Sequence, residues 1–382
     1  MGRFFLIVVF LCVQVNTTCK GQQPVSRKLD VVFCLDLSAS TNGLIDRFRD
    51  HLWDYTNLFS QCDPQPDYRI GLIGFSRPSF KRETGYVKVL KDLTYDLESL
   101  SKIAYDLKSS VEKGDQYVAH ALLTGSRSIS WSEDTSTIKV LFVVGNGMPN
   151  LGGGDYKKAA EELAAKGVVL FPIYCNTKST AAEVKSWEEI AEVGKGKLSF
   201  LTIKNNYYTD VDTLNIKRLF DLQKKLSETY IYYGALGAER WNMMNEQDRN
   251  SYRSNAEGFI YRCAFKISPL YQGRNSSWDL VDYYTSFGSI NNLQLDPKQL
   301  LPEAQKLQKA DINKLIVQKK IERHQLIPKI KGVTAEWEKK NKEQPIEKKM
   351  QTLDTITTSI LKELMQKKGY VCAAEQQKET TK

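Results

Sequence analysis

Val31-Val32-Phe33-Cys34-Leu35-Asp36-Leu37-Ser38-Ala39-Ser40 is the stretch whose reading decides the fold. A short run of β-branched, aromatic and other apolar residues bounded by polar ones suits a strand buried on both faces of a sheet. Asp36, Ser38 and Ser40 then follow at every second position. Alternate side chains of extended backbone face the same way, so a carboxylate and two hydroxyls can converge on one point. Such an oxygen set suits a hard divalent cation. The same residues also have a plainer use. Ser38, Ser40, Thr41 and Asn42 precede a helical segment and can cap it, with Asp36 accepting hydrogen bonds from their amides.

Outward from this stretch, strand-like and helix-like segments alternate as far as about residue 203. Strands are expected at 29–36, 68–76, 86–90, 138–145, 167–175 and 197–203, and helices at 43–59, 97–110, 116–129, 156–166 and 180–193. Alternation of this kind needs crossover connections. The expected fold class is therefore α/β, a doubly wound, mainly parallel sheet with helices on both faces. Ligands in such sheets sit at the carboxyl ends of the strands, near the point where strand order reverses. Asp36 closes the first strand.

Three motifs in order carry a family resemblance. The segment from Asp30 to Ser40 resembles the opening of a von Willebrand factor A (vWA) domain, whose metal-ion-dependent adhesion site begins with DxSxS. Gly114-Asp115-Gln116-Tyr117-Val118-Ala119-His120-Ala121-Leu122 resembles that family's second metal loop, and Val140 to Asn150 its third, where TDGxPN is usual. The resemblance covers roughly residues 28–205. It implies a metal set of Asp36, Ser38, Ser40, Gln116 and Asn146, holding Mg²⁺, or Mn²⁺ or Ca²⁺, weakly. The weakness follows from two departures: Gln116 stands where the family has a coordinating Thr, and Asn146 where it has the Asp of TDG. Both still offer carbonyl oxygens, but Asp36 is left as the aligned carboxylate unless Asp115 turns inward, and Mg²⁺ prefers carboxylate neighbours. Here too a plainer reading stands alongside, with Asn146-Gly147 as a tight turn and Gly152-Gly153-Gly154-Asp155 as a loop whose Asp155 caps a helix.

After residue 205 the texture changes. Residues 211–228 are amphipathic, with Leu214, Ile216, Leu219, Phe220 and Leu222 on one side, and either close the domain or lead away from it. A polar helix carrying Gln247-Asp248 follows, and then Asn275-Ser276-Ser277-Trp278-Asp279-Leu280-Val281-Asp282. This order resembles the extension that follows the A domain in secreted or periplasmic bacterial vWA proteins of unknown function. Trp278, Leu280 and Val281 are expected to pack the extension against the A domain. Lys-, Glu- and Gln-rich helices come next, with Leu307, Ile312, Leu315, Ile316, Ile321 and Leu326 at helical spacing and Pro328 and Pro345 as breaks. The expected division is a signal peptide at 1–21, the vWA domain at 22–205, an extension packing on it at 206–300, C-terminal helices with coiled-coil character at 301–370 and a flexible tail at 371–382.

The N-terminus supports export. Arg3 precedes an apolar run from Phe4 to Val13 that is too short to span a bilayer, and Cys19 and Gly21 place small residues for cleavage before Gln22. Lipidation of Cys19 is the rival, against which Thr17-Thr18 makes a poor recognition sequence. A periplasmic or extracellular location follows, with no later run long enough for a membrane helix. Cys34, Cys62, Cys175, Cys263 and Cys372 form an odd, scattered set that argues against a disulfide framework and lacks CxxC metal spacing. Cys34 and Cys175, in apolar runs, read as buried thiols.

The 3 histidines, His51, His120 and His324, fall in separate helices without HExxH. With no GxSxG elbow and no GxxxxGK[ST] loop either, hydrolase and P-loop readings lack support, and a non-enzyme is expected. A net charge of +9 over 382 residues suits an anionic surface or acidic partner, and no nucleic-acid motif accompanies it. The leading expectation is an exported interaction module that docks a protein or envelope partner through the upper edge of the sheet. The alternative is an envelope scaffold that assembles through its C-terminal helices with a vestigial metal site. The oligomeric state and the partner's identity stay open.

Overall fold

A computed structural model describes residues 28–107, 115–175, 179–203, 213–342 and 352–372. The expected signal segment with Cys19, Gly114 of the second loop, Pro345 and the segment from Ala374 onward lie outside the described residues.

The strand β1 (Lys28–Asp36) is followed by α1 (Leu44–Ser60), β2 (Cys62–Asp63), β3 (Asp67–Phe75), β4 (Lys88–Thr94), α2 (Leu97–Asp106), α3 (Val118–Arg127), β5 (Ile138–Gly145), α4 (Tyr156–Ala165), β6 (Val168–Cys175), α5 (Ala181–Val193) and β7 (Ser199–Leu201). The sheet has the order β4-β3-β1-β5-β6-β7, parallel throughout except for β4, which runs antiparallel to β3. This is the α/β class the alternation predicts, with each expected segment present and its ends moved by a few residues.

The alternation of β1 explains why its sequence is a continuous apolar run. Val31, Phe33 and Leu35 enter one core cluster together with Phe48, Leu52, Tyr55 and Phe59 of α1. Val32 and Cys34 enter the other, with Leu122 of α3, Ala159 and Leu163 of α4 and Trp187 of α5. A strand with helices on both faces has no side that water can reach, so period-2 polarity vanishes. Asp155 caps α4 by accepting from the amides of Lys157 and Lys158, as its plainer reading expects. Thr180 and Glu183 form a reciprocal capping box on α5.

Beyond the sheet lie α6 (Thr213–Ser227), α7 (Gly237–Ser254), α8 (Ala256–Lys266), α9 (Pro269–Asn275), α10 (Leu280–Phe287), α11 (Lys309–Lys342), α12 (Leu353–Lys367) and β8 (Val371–Cys372). The packing of α6 bears on the two readings open for residues 211–228. Ile216 and Leu219 of α6 pack with Met244, Phe259, Ile330 and Val333 of α7, α8 and α11.

Four expectations change. Trp278 stacks on Tyr230, with ring centroids 5.6 Å apart, and borders the A domain only across a cleft it lines with Tyr95 and Glu98, while Leu280 and Val281 pack with Ile231, Ile290 and Ile316 inside the extension. Pro328 does not break its helix and lies within α11. It is exposed, and so is His324, whose carbonyl loses its helical donor to the proline and can turn to water. Cys62 and Cys372 form a disulfide across 310 residues of sequence, pairing β2 with β8. Scattered spacing hid this pair, because only folding brings the two ends together. Val371 and Cys372 are thus a strand and not the start of a tail.

The helix α12 is the larger difference, because it joins the sheet's own core. Leu353, Ile356, Ile360, Leu361 and Met365 belong to the cluster of α1 and β1 and do not stand apart as a C-terminal helix. Chain returning from the far side of the extension therefore completes the cover of one sheet face.

Two buried ionic clusters hold the extension. Arg262 of α8 donates to Asp248 at 2.7 Å and to Glu98 of α2 at 3.0 and 3.1 Å, and its guanidinium lies 4.4 Å from the ring centre of Trp53 on α1. Lys266 donates to the other oxygen of Asp248 at 2.8 Å. Farther out, Arg323 of α11 pairs with Asp279 and Asp282 and lies 4.1 Å from the ring centre of Tyr230. The Gln247-Asp248 pair read from the sequence is therefore interior, and Asp248 is the hub of the first cluster.

Candidate functional site

Order reverses beside β1, since the chain moves from β1 to β3 on one side and later returns to β5 on the other. Asp36 is the last residue of β1, and Asn146 directly follows β5. The two residues flank the crevice where doubly wound sheets take ligands.

The local backbone fixes this edge. The amide of Leu37 donates to the Phe75 carbonyl at 2.9 Å, tying the loop to β3. The amide of Ser38 donates to Asp36 Oδ1 at 2.9 Å. The Thr41 hydroxyl donates to the carbonyls of Asp36 at 2.8 Å and Ser38 at 3.1 Å. Asp36 thus does accept from a neighbouring amide, as its plainer reading has it, but that accounts for one carboxylate oxygen. Asp36 Oδ2 is buried and has no hydrogen-bond partner. Gly145 makes room for it, since a Cβ there would lie 2.9 Å from Asp36 Cβ and 3.3 Å from Oδ2.

Burial pushes the Asp36 carboxyl up to about 6, against the opposing pull of Ser38 and of the nearby hydroxyls of Ser76 and Thr41. Ser76 gave no sequence signal. It is fully buried with a left-handed φ of 64°, which non-glycine residues seldom adopt.

From Ser38 the oxygens run outward. The hydroxyls of Ser38 and Ser40 are 2.8 Å apart, Ser40 Oγ donates to Asn146 Oδ1 at 3.3 Å, and Gln116 Nε2 donates to Ser40 Oγ at 3.5 Å. The fold therefore brings together Asp36, Ser38, Ser40, Gln116 and Asn146, drawn from three loops. Asp36, Ser38 and Asn146 are buried, Gln116 is half-buried and Ser40 is exposed. Asp115 is exposed as well and adds no carboxylate to the buried part of the cluster.

These residues suit a hard divalent cation in kind. The donors are oxygens, one of them an orphaned carboxylate oxygen in a cradle only glycine leaves open. They supply a single negative charge, so a bound dication would keep net positive charge and attract an anionic group.

An aromatic group that the sequence did not single out flanks the edge. The rings of Tyr86 and Tyr117 lie 5.3 Å apart, as do those of Tyr117 and His120. The glycine loop owes its composition to them, because a Cβ on Gly152, at φ 77°, would come within 2.5 Å of the Tyr117 ring. Trp187 Nε1 donates to the Gly147 carbonyl at 2.8 Å and fixes the loop that carries Asn146. Two clefts lie elsewhere. One, of about 230 Å³, is lined by Tyr95, Glu98, Arg240, Tyr271, Arg274 and Trp278. The other, of about 410 Å³, is lined by Phe220, Lys224, Trp241 and Asp248 among others.

An open parallel sheet with an oxygen-lined edge at its strand-order reversal defines the class of this domain. The sequence model of the von Willebrand factor type A domain matches residues 30–221, half of the chain, and the chain belongs to that family. The match runs into α6. Among solved structures, similarity extends to an aerotolerance-related membrane protein from Bacteroides fragilis, at 16% identity over 46% of this chain and 92% of that one, with a TM-score of 0.32. It extends also to the pilus adhesin SpaC from Lactobacillus rhamnosus GG, at 13% identity over 48% of this chain and 28% of that one, with a TM-score of 0.35. A von Willebrand factor type A protein from Catenulispora acidiphila shows 12% identity over 47% and 39% of the two chains, with a TM-score of 0.35. No curated protein matches the chain.

Proposed function

We propose that this protein is an exported interaction module, and that the edge formed by Asp36, Ser38, Ser40, Gln116 and Asn146 docks an acidic group of a protein or envelope partner, with Mg²⁺, Mn²⁺ or Ca²⁺ weakly held there. The observation that carries this reading is the orphaned, buried Oδ2 of Asp36 at the head of an oxygen chain that ends on exposed Ser40. Most buried carboxylate oxygens are satisfied, and where Asp282 also keeps one oxygen without a partner it has the Arg323 guanidinium as a countercharge, which Asp36 lacks. When bound, the cation would supply a positive charge that the single carboxylate leaves partly uncompensated.

Export is supported by the Cys62–Cys372 disulfide, which belongs in an oxidising compartment. No helix among the described residues is long and apolar enough to cross a membrane. A binding role also fits the thiols. Cys34, Cys175 and Cys263 are buried, and burial pushes each well above its ordinary value, away from nucleophilic use. The scaffold alternative is narrowed by packing, since Ile312, Ile316, Ile330 and Val333 of α11 and the apolar face of α12 already meet partners within the chain, which leaves Val317 and Ile321 of α11 exposed to carry such a contact.

Calorimetric titration of the full chain with Mg²⁺, Mn²⁺ and Ca²⁺, beside Asp36→Asn and Ser40→Ala, tests the metal part. Binding that both substitutions weaken is expected. Equal heats from all three proteins would remove it. Cross-linking to native envelope, compared between the parent and Ser40→Ala, tests the docking face.

A further inference from the structure

A second cluster of ligating side chains lies away from the sheet edge, where α1 meets α12. His51 and Asp54 are three residues apart on α1 and so share one face of that helix. Asp354, in the first turn of α12, brings its Oδ2 to 3.6 Å from His51 Nδ1. One ligating atom from each of the three residues can be chosen so that all lie within 4.8 Å of one another. His51 and Asp354 are each only 6% exposed, and neither His51 Nδ1 nor Asp354 Oδ1 has a hydrogen-bond partner. Apart from the 3.6 Å ion-pair contact between His51 and Asp354, these two buried atoms have no partner, and native interiors seldom leave such groups without a hydrogen bond.

We infer that His51, Asp54 and Asp354 form a binding site for one divalent transition-metal ion of the Zn²⁺ class, which ties α12 to α1. The donor set, one imidazole nitrogen and two carboxylates, is of the mixed nitrogen and oxygen kind that Zn²⁺ takes. Mg²⁺ fits poorly, because it keeps several waters and wants oxygen alone, and two of the three ligands are buried. Asp54 is half-buried and offers the path from solvent and the side on which a water could complete the coordination. Charge agrees with this assignment. The negative charges of Asp354, Glu257 and Glu338 all act on Asp54, and among these neighbours only His51 opposes them. A cation placed among these carboxylates relieves a repulsion that the His51 ring meets only in part.

The site also accounts for the path of the chain. Helix α12 completes the sheet's core yet reaches it only after the whole helical extension. Its last residues are followed by β8 and the Cys62–Cys372 bond, which anchor that end. A metal held by Asp354 would anchor the other.

Zinc and cobalt binding to the full-length, chelator-treated protein tests the assignment. One equivalent of Co²⁺ is expected to give visible ligand-field absorption that Zn²⁺ displaces and that persists in Ser40→Ala, where the sheet-edge site is impaired. His51→Gln and Asp354→Asn are each expected to weaken binding by about 100-fold or more, beyond the loss typical of outer-sphere partners. Circular dichroism of both variants checks that they fold. The inference is overturned if the unsubstituted protein takes up no equivalent of Co²⁺ or Zn²⁺. It is equally overturned if folded His51→Gln and Asp354→Asn bind as the parent does. Loss of Co²⁺ absorption in Ser40→Ala alone would assign the metal to the sheet edge and overturn it too.

Discussion

Asp36 and Asp248 are both buried carboxylates, 0% and 5% exposed, and their surroundings could hardly differ more. Burial works against the ionised form of each. At Asp248, Lys266 and Arg262 outweigh that penalty and hold the carboxyl below its ordinary value, and both oxygens are satisfied by Arg262, Lys266, Ser227 and Gln223. At Asp36 no cation intervenes, the carboxyl is pushed up to about 6, and one oxygen stays without a partner. A saturated carboxylate locks parts of a fold together. An unsaturated one at the carboxyl edge of a parallel sheet is available to a ligand. The contrast lies in the countercharge: Asp248 has two buried cations beside it and Asp36 has none.

The comparison breaks most readily on the Asp248 side. Replacing Arg262 with Met leaves Asp248 and Glu98 short of a buried partner, and urea denaturation is expected to show a loss of about 3–5 kcal/mol. A loss under about 1 kcal/mol would mean that the cluster is not what joins the extension to the sheet. The disulfide should come next. Cys62→Ser is expected to cost about 2–4 kcal/mol by the same measurement, through a closed loop that spans most of the chain. The effect should vanish when parent and variant are compared under reducing conditions.

The smaller effects separate the two carboxylates directly. Asp248 has a folded pKa below its unfolded value of 3.8, so its contribution is present above that pH and is lost as pH falls through the folded value. Glu98 has the opposite sign, because burial raises it above 4.5 despite Arg262 and Lys266, and it costs stability as pH rises past that point. Acid unfolding of the parent should therefore steepen below about pH 4, and Asp248→Asn should flatten that limb. Asp36→Asn should leave stability unchanged or slightly raised, because it removes a buried charge that lacks a countercharge, while abolishing cation binding at the edge. A strongly destabilised Asp36→Asn would reduce the edge to a structural feature. Ser40→Ala, at an exposed position, should change stability by no more than about 0.5 kcal/mol yet weaken docking.

Much of the A domain was legible in order along the chain. The apolar run ending at Asp36, the alternation that follows it and the spacing of Asp36, Ser38 and Ser40 are local patterns, and local geometry obeys them. Gln116 and Asn146 could be matched to that edge because each sits in a recognisable loop. Ser76, Tyr86 and Tyr117 were not legible. Their role depends on which strands lie side by side, and a tyrosine before a helix carries no mark of its neighbours. Leu280 and Val281 were misread for a related reason: their apolar character showed that they pack, but not against what.

What the sequence alone determined is the class of sheet, the place of Asp36 at its edge and the neutral side chains, Gln116 and Asn146, that its loops bring to that edge. Those properties follow from periodicity and from side-chain chemistry, both of which are written residue by residue. Tertiary structure decided that Asp36 keeps an unsatisfied oxygen while Asp248 does not, that Cys62 finds Cys372, and that α12 returns to cover the sheet and set Asp354 beside His51. Each of these joins residues far apart in the chain, and their proximity arises only when the whole chain buries its apolar surface at once.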